Sequence, residues 1–167
     1  MAPVRNLLPE FDHEMASTRR LLELVPEADA AWRPHPRSYT LGELSTHIAT
    51  LPLWGKFVLQ QTELDLGVPE NASIARTPFS TVPELLARFD RNVSETRAAL
   101  TAMPETGWST TWTLKNQGAT IFALPRAAAL RGFIMSHLIH HRGQLSVYLR
   151  LRDVPLPSIY GPTADTR

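Results

Sequence analysis

Cysteine is absent from the 167 residues of this chain, which excludes disulfides, thiolate nucleophiles, iron–sulfur clusters and every Cys-based zinc site. Any metal must be held by nitrogen and oxygen. An excess of either charge is also absent: 17 Lys+Arg stand against 16 Asp+Glu, a net +1, so no global field draws the chain to nucleic acid or an anionic membrane. No apolar run approaches the ~20 residues that a membrane helix needs. The opening MAPVRNLLPEFDHEM reaches acidic residues too early for the apolar core of an export signal, and the expected location is cytoplasmic. Repeats and an interior linker are lacking too, so residues 1–167 are expected to form one domain of ordinary size and composition.

What is present is helical period. Four stretches repeat apolar residues about every 3.6 positions, separated by loops rich in Pro, Ser, Thr and Gly. Val4, Leu7, Leu8, Phe11, Met15, Leu22 and Val25 form the first stripe, with Glu14 off it, and Pro26 closes the helix. Pro26 to Tyr39 reads as loop, with Trp32 over the core. Thr40 and Glu43 make a capping box for a second helix striped by Leu41, Leu44, Ile48, Leu51 and Val58, in which Pro52 is expected to introduce a kink beyond His47. Gln61 to Ser80 reads as loop. Thr81 and Glu84 open a third helix that stops at Pro104. The period fails from Trp108 to Leu124, where a short hairpin fits around Asn116-Gln117-Gly118. Pro125 suits the first turn of a fourth helix running to about Arg152, and the proline-rich tail is expected along the surface. The pattern is that of an all-α four-helix bundle whose long first and third connections leave room for crossovers.

The six histidines sort by face. His13 opposes the first stripe and His35 lies between two prolines, so both are expected at the surface. On the fourth helix Leu130, Ile134, Leu138, Leu145 and Tyr148 define the stripe, and at about 100° per residue His137 and His141 fall near its centre. Two buried imidazoles without partners would cost roughly 1–3 kcal/mol each, so something inside must bond or ligate them. An i, i+4 pair can share one cation, although histidines that merely bond a carbonyl fit the pair equally well. His47, beside Leu44, Leu51 and Trp54, also faces inward and tilts the balance to metal. Three protein ligands, with the remaining positions left to water or substrate, are what a catalytic site requires. His140 belongs at the rim. Gln144, one turn beyond His141, either orients substrate or water or makes a structural hydrogen bond. The run His137-Leu138-Ile139-His140-His141 lacks the glutamate of H-E-x-x-H, which disfavours that peptidase chemistry. No inward acid can be nominated as a further ligand.

Several segments together carry a family resemblance: Trp32-Arg33-Pro34-His35, then Leu41-Gly42-Glu43-Leu44 through His47 with Trp54 beyond. The third is His137-Leu138-Ile139-His140-His141-Arg142-Gly143-Gln144-Leu145 through Tyr148-Leu149-Arg150, and the last is Ile159-Tyr160-Gly161-Pro162. In these the chain resembles the DinB-like superfamily of bacterial four-helix metal proteins. The resemblance implies an up-up-down-down bundle, frequent dimers, and a divalent metal, often nickel or zinc, on His47, His137 and His141. It also implies either transfer or isomerisation with a low-molecular-weight thiol, or hydrolysis. The expected function is thus a metal-dependent enzyme acting on a small molecule through metal-bound thiol or water. Any thiol would have to be a cosubstrate. The alternative is a non-catalytic, metal-stabilised binding or stress-response module. DNA binding lacks support, because Arg131, Arg142 and Arg150 are expected on the outer face of the fourth helix without interleaved aromatics.

On the far side of that helix, Met135, Ile139, Gly132 and Gly143 project opposite the histidines. A helix apolar on both sides is covered on both. The cover is either the Trp108 to Leu124 segment with the tail, or a second copy in a two-fold homodimer. No nucleic acid or membrane partner is expected.

Overall fold

The computed structural model describes residues 7–74 and 77–166; Val4 of the first stripe lies outside them. Helices α1 (Leu7–Leu22), α2 (Leu41–Gln60) and α4 (Val82–Ala102) and a final helix enclose one apolar core, with a short α3 (Pro69–Ile74) on the way. The final helix has three parts, α5 (Arg126–Ala128), a π-helical segment (Ala129–Ser136) and α6 (His137–Arg150). No helix among the described residues is long and apolar enough to cross a membrane.

The capping box forms in both directions. The Glu43 N–H donates to Thr40 Oγ1 at 3.1 Å and the Thr40 N–H donates to the Glu43 carboxylate at 2.7 Å, fixing where α2 starts. At its other end the Arg126 guanidinium donates to the carbonyls of Val58 and Gln61, which the helix itself leaves without partners. The helix continues through Pro52. Around that proline, Asn92 Nδ2 donates to the Ala49 carbonyl and Thr96 Oγ1 to the Pro52 carbonyl, so α4 clasps α2 where its ladder is interrupted.

Cross-helix contacts give the directions. Arg97 with Asp12 and Arg19 with Asp90 make α1 and α4 antiparallel. The bonds from Asn92 to Ala49 and from Thr96 to Pro52 make α4 parallel to α2. His47 near His137 and Val58 near Arg126 make the final helix antiparallel to α2. In chain order the helices therefore run up, down, down, up rather than up-up-down-down. The crossover lies in the second long connection, between α2 and α4, and not in the first or third.

The chain is mostly helical but not all-α. The hairpin is present, β2 (Thr111–Asn116) against β3 (Ala119–Pro125), and its two-residue turn places Gln117 at φ 50 and Gly118 at φ 78, the pair of positive angles that a type I′ turn requires. The stretch read as loop after Gln61 supplies a third strand, β1 (Glu63–Asp65), parallel to β2. The sheet delivers aromatic mass to the final helix: Trp112, fully buried, stacks on Phe133 at 6.1 Å, and Phe122 meets the same ring at 5.1 Å.

Three positions read by simple helical period lie elsewhere. Met135, expected on the outer face, is fully buried. It lies in the π segment, where each turn takes about one more residue and the 100° step no longer assigns the face. Ser136 Oγ donates to the Arg131 carbonyl five residues back, matching that wider turn. Glu14 and Arg142 were both expected outside and are 5% and 2% exposed. They pair with each other at 2.7 Å, and Tyr160 of the tail donates its hydroxyl to the Glu14 carboxylate. Mutual neutralisation is what makes burial of these two charges tolerable.

Candidate metal centre

Histidines arriving from two antiparallel helices meet at one point. The candidate ligand nitrogens of His47, His137 and His141 lie within 4.8 Å of one another. His137 Nε2 is 2.9 Å from His141 Nε2 and 3.4 Å from His47 Nε2. Nitrogens about 2.0–2.1 Å from a common ion, at angles between a right angle and tetrahedral, stand about 2.9–3.4 Å apart. The two spacings from His137 therefore suit one divalent cation, and the candidate nitrogens of His47 and His141 lie within 4.8 Å of each other. His13, His35 and His140 are exposed and stand outside the cluster.

The rings of His141 and His137 have further partners. His141 Nδ1 lies 2.7 Å from Gln144 Oε1, which can only accept, so the ring's Nε2 is left with its lone pair toward the cluster. The His137 ring is bonded to the Phe133 carbonyl. That carbonyl lies in the π segment, and the His137 backbone N–H turns instead to Ile134. Phe133 also sits 6.0 Å from the His137 ring, inside the aromatic group supplied by the hairpin. Partners of this kind set the tautomer and orientation of a ligating imidazole.

Burial, reinforced by the two neighbouring imidazoles, pushes His47 down to about 4. Burial also lowers His137 and His141, against the opposing pull of Gln144 on His141. All three are neutral at pH 7, the state in which imidazole binds metal.

Two open clefts flank the cluster. One, of about 440 Å³, is reached at His47 and Thr46; the other, of about 460 Å³, is reached at His141, Gln144 and Tyr148. Glu43 and Tyr39 border both. The Tyr39 ring stacks on His47 at 5.8 Å and meets His141 edgewise at 6.3 Å while remaining half exposed. Sequence reasoning missed Tyr39; its one available signal was its place just before the N-cap, where an apolar residue normally packs on the first turn. Trp54 packs on Phe133.

A mostly helical chain with three imidazoles converging beside solvent-open clefts defines a helical protein with a candidate three-histidine metal centre. The sequence profile of the DinB superfamily matches residues 10–145. The chain belongs to that superfamily. It is similar to the protein YrdA of Bacillus subtilis (strain 168), 25% identical over 161 residues that cover 96% of this chain and 89% of YrdA. Two solved structures share its fold. The DinB-like protein YjoA of Bacillus subtilis has a TM-score of 0.70 at 22% identity, over 93% of this chain and 98% of YjoA. A DinB-like protein of Bacillus cereus ATCC 10987 has a TM-score of 0.68 at 19% identity, over 92% and 95% of the two chains.

Proposed function

We propose that the protein is a metal-dependent enzyme acting on a small molecule, with His47, His137 and His141 as ligands of one divalent ion such as nickel or zinc. The observation that carries this reading is the convergence of three Nε2 atoms while the other ring nitrogens of His137 and His141 are held elsewhere. A bound ion would act as a Lewis acid, lowering the pKa of a coordinated thiol or water and so supporting thiol transfer, isomerisation or hydrolysis. The chain's own residues do the rest. Gln144 and the Phe133 carbonyl fix the two rings of the final helix, and Tyr39 narrows access from solvent. With three protein ligands there is room for substrate, and the absence of cysteine makes any thiol a cosubstrate. The small-molecule reading leaves nucleic acid and membrane without a role, and we extend it to a homodimer in the cytoplasm.

The test is metal analysis of protein purified from its native host, followed by assays of thiol transfer and of ester or amide hydrolysis, with and without added thiol. Saturable turnover that chelator removes and metal restores supports the proposal. Stoichiometric metal that raises thermal stability without turnover of any substrate would instead favour the binding or stress-response module.

A further inference from the structure

The cleft at His47 does not end there. It adjoins a second depression of about 390 Å³ at Thr77, which lines both, and the second is bordered by Thr50, Arg88, Arg91 and Glu95. Glu95 is taken by Lys56 at 2.9 Å. Arg88 and Arg91 are different: one turn apart on α4, neither guanidinium has a hydrogen bond or an ion pair among the described residues. The other arginines tied to carboxylates include Arg19, Arg97, Arg142, Arg150 and Arg152.

Arg88 is also half-buried, and burial together with the charge of Arg91 lowers its pKa, against a weaker opposing effect of Glu84. Two like charges brought together and partly desolvated, with only the weaker opposing field of Glu84 on Arg88, are unfavourable in the empty protein. A doubly or singly charged oxyanion relieves both costs, because guanidinium groups are built to donate to it in pairs. A second orphan lies along the same groove. Thr46 is 4% exposed, lines the cleft at His47, and its Oγ1 has no hydrogen-bond partner among the described residues. Polar groups so enclosed are rarely left unpaired.

We infer that the substrate of the three-histidine site is an elongated small molecule with an anionic end, a carboxylate or phosphate, that is held by Arg88 and Arg91 while its reacting group lies at His47. This inference rests on the proposed metal site for the identity of the reacting end, but not for the anion end. The two ends lie in different depressions that share Thr77, so the molecule must reach from one to the other.

Two arms test this. In the first, inorganic phosphate and succinate are titrated separately into metal-free wild-type protein and into Arg88→Gln/Arg91→Gln, with thermal stability and the arginine side-chain NMR signals as readouts. Wild type responds to the preferred anion, the double variant does not, and added salt weakens the response. The single variant Arg91→Gln, at an exposed position, repeats the comparison should the double variant be unstable. No response from wild type to either anion overturns the inference.

In the second arm, cobalt-loaded protein is titrated with 3-mercaptopropionate, 6-mercaptohexanoate and 8-mercaptooctanoate and with the mercaptoalcohols of matching length, following the thiolate-to-metal absorption. The longer acids bind about tenfold or more tightly than their alcohols, as a charge-assisted bond would give, and the preference vanishes in the double variant. Thiols that bind with no acid preference, or with one that survives Arg88→Gln/Arg91→Gln, overturn the anion end and leave the metal reading intact. An anion response in the first arm with no thiol signal in the second does the reverse.

Discussion

Arg142 follows His141 directly in the chain, yet while His141 meets α2, Arg142 reaches α1 and holds the Glu14 carboxylate at 2.7 Å with both side chains almost wholly buried. Removing one member of such a pair strands a buried charge, which typically costs about 3–5 kcal/mol. Glu14→Ala is therefore expected to lower unfolding free energy by about that amount in urea or guanidinium titrations. Replacing both partners by apolar groups, as in Glu14→Leu/Arg142→Met, is expected to cost far less. A loss in the double replacement equal to the sum of the losses at Glu14 and Arg142 alone would show that the two groups are not energetically coupled.

The bond between His141 and Gln144 yields a prediction about metal rather than stability. Gln144 is exposed and its amide oxygen meets His141, so Gln144→Ala should unfold much like wild type. Losing the group that orients a ligating imidazole typically weakens metal binding about 10–100-fold. Competition against a chromophoric chelator measures this directly. His141→Ala should do much more and leave little bound metal, whereas His13→Ala should leave binding unchanged. Unaltered affinity in Gln144→Ala would remove that side chain from the site.

Which parts were legible follows from what each signal measures. Capping and period are local, so Thr40 with Glu43 and Thr81 with Glu84 located two helix starts, and both caps form. Burial of Leu130, Ile134 and Leu138 followed from the same period, and with them the inward direction of His137 and His141. The failures are non-local or depend on backbone register. Strand β1 exists because Glu63 to Asp65 find Thr113 to Lys115 far along the chain, and three residues carry no period of their own. Met135 was misplaced because the π register cannot be read from apolar spacing. Glu14 and Arg142 read as surface residues because single charges usually are; only their pairing buries them.

The lowered histidine pKa values set a pH dependence for the metal-free protein. The unfolded chain takes up protons on its histidines near 6.5, whereas folded His47 resists them down to about 4. Between those values the unfolded state binds more protons, so stability rises with pH across this window. Stability is expected to be at its plateau above about pH 6.5, to fall on acidification through the window, and to depend less on pH in His47→Gln, where only His137 and His141 still resist protonation. Thermal melts across the pH range check this. Metal should shift the fall further, since protons and metal compete for the same nitrogens. A flat profile in metal-free wild type would mean that His47 is not held neutral.

The outer face of the final helix carries the last prediction, and it has changed character from the one the sequence implied. Met135 has left that face, but Val147 is 56% and Leu151 53% exposed, and a Cβ at Gly132 or at Gly143 would meet nothing within 4 Å. Ile139, Gly143, Val147 and Leu151 recur every fourth residue and so lie along one side of the helix. An apolar side of this kind, with a glycine that allows close approach, suits packing against its twin about a two-fold axis. Homodimerisation through this face is the expected outcome, with wild type sedimenting as a dimer at micromolar concentration. Val147→Glu should give a folded, metal-binding monomer, because that side chain is mostly exposed in the single chain and a charge there disturbs only the interface. Ile139→Glu should act in the same direction but at some cost in stability, since Ile139 is half-buried. Wild type sedimenting as a monomer would overturn the dimer, and a Val147→Glu protein that remains dimeric would move the interface to another face.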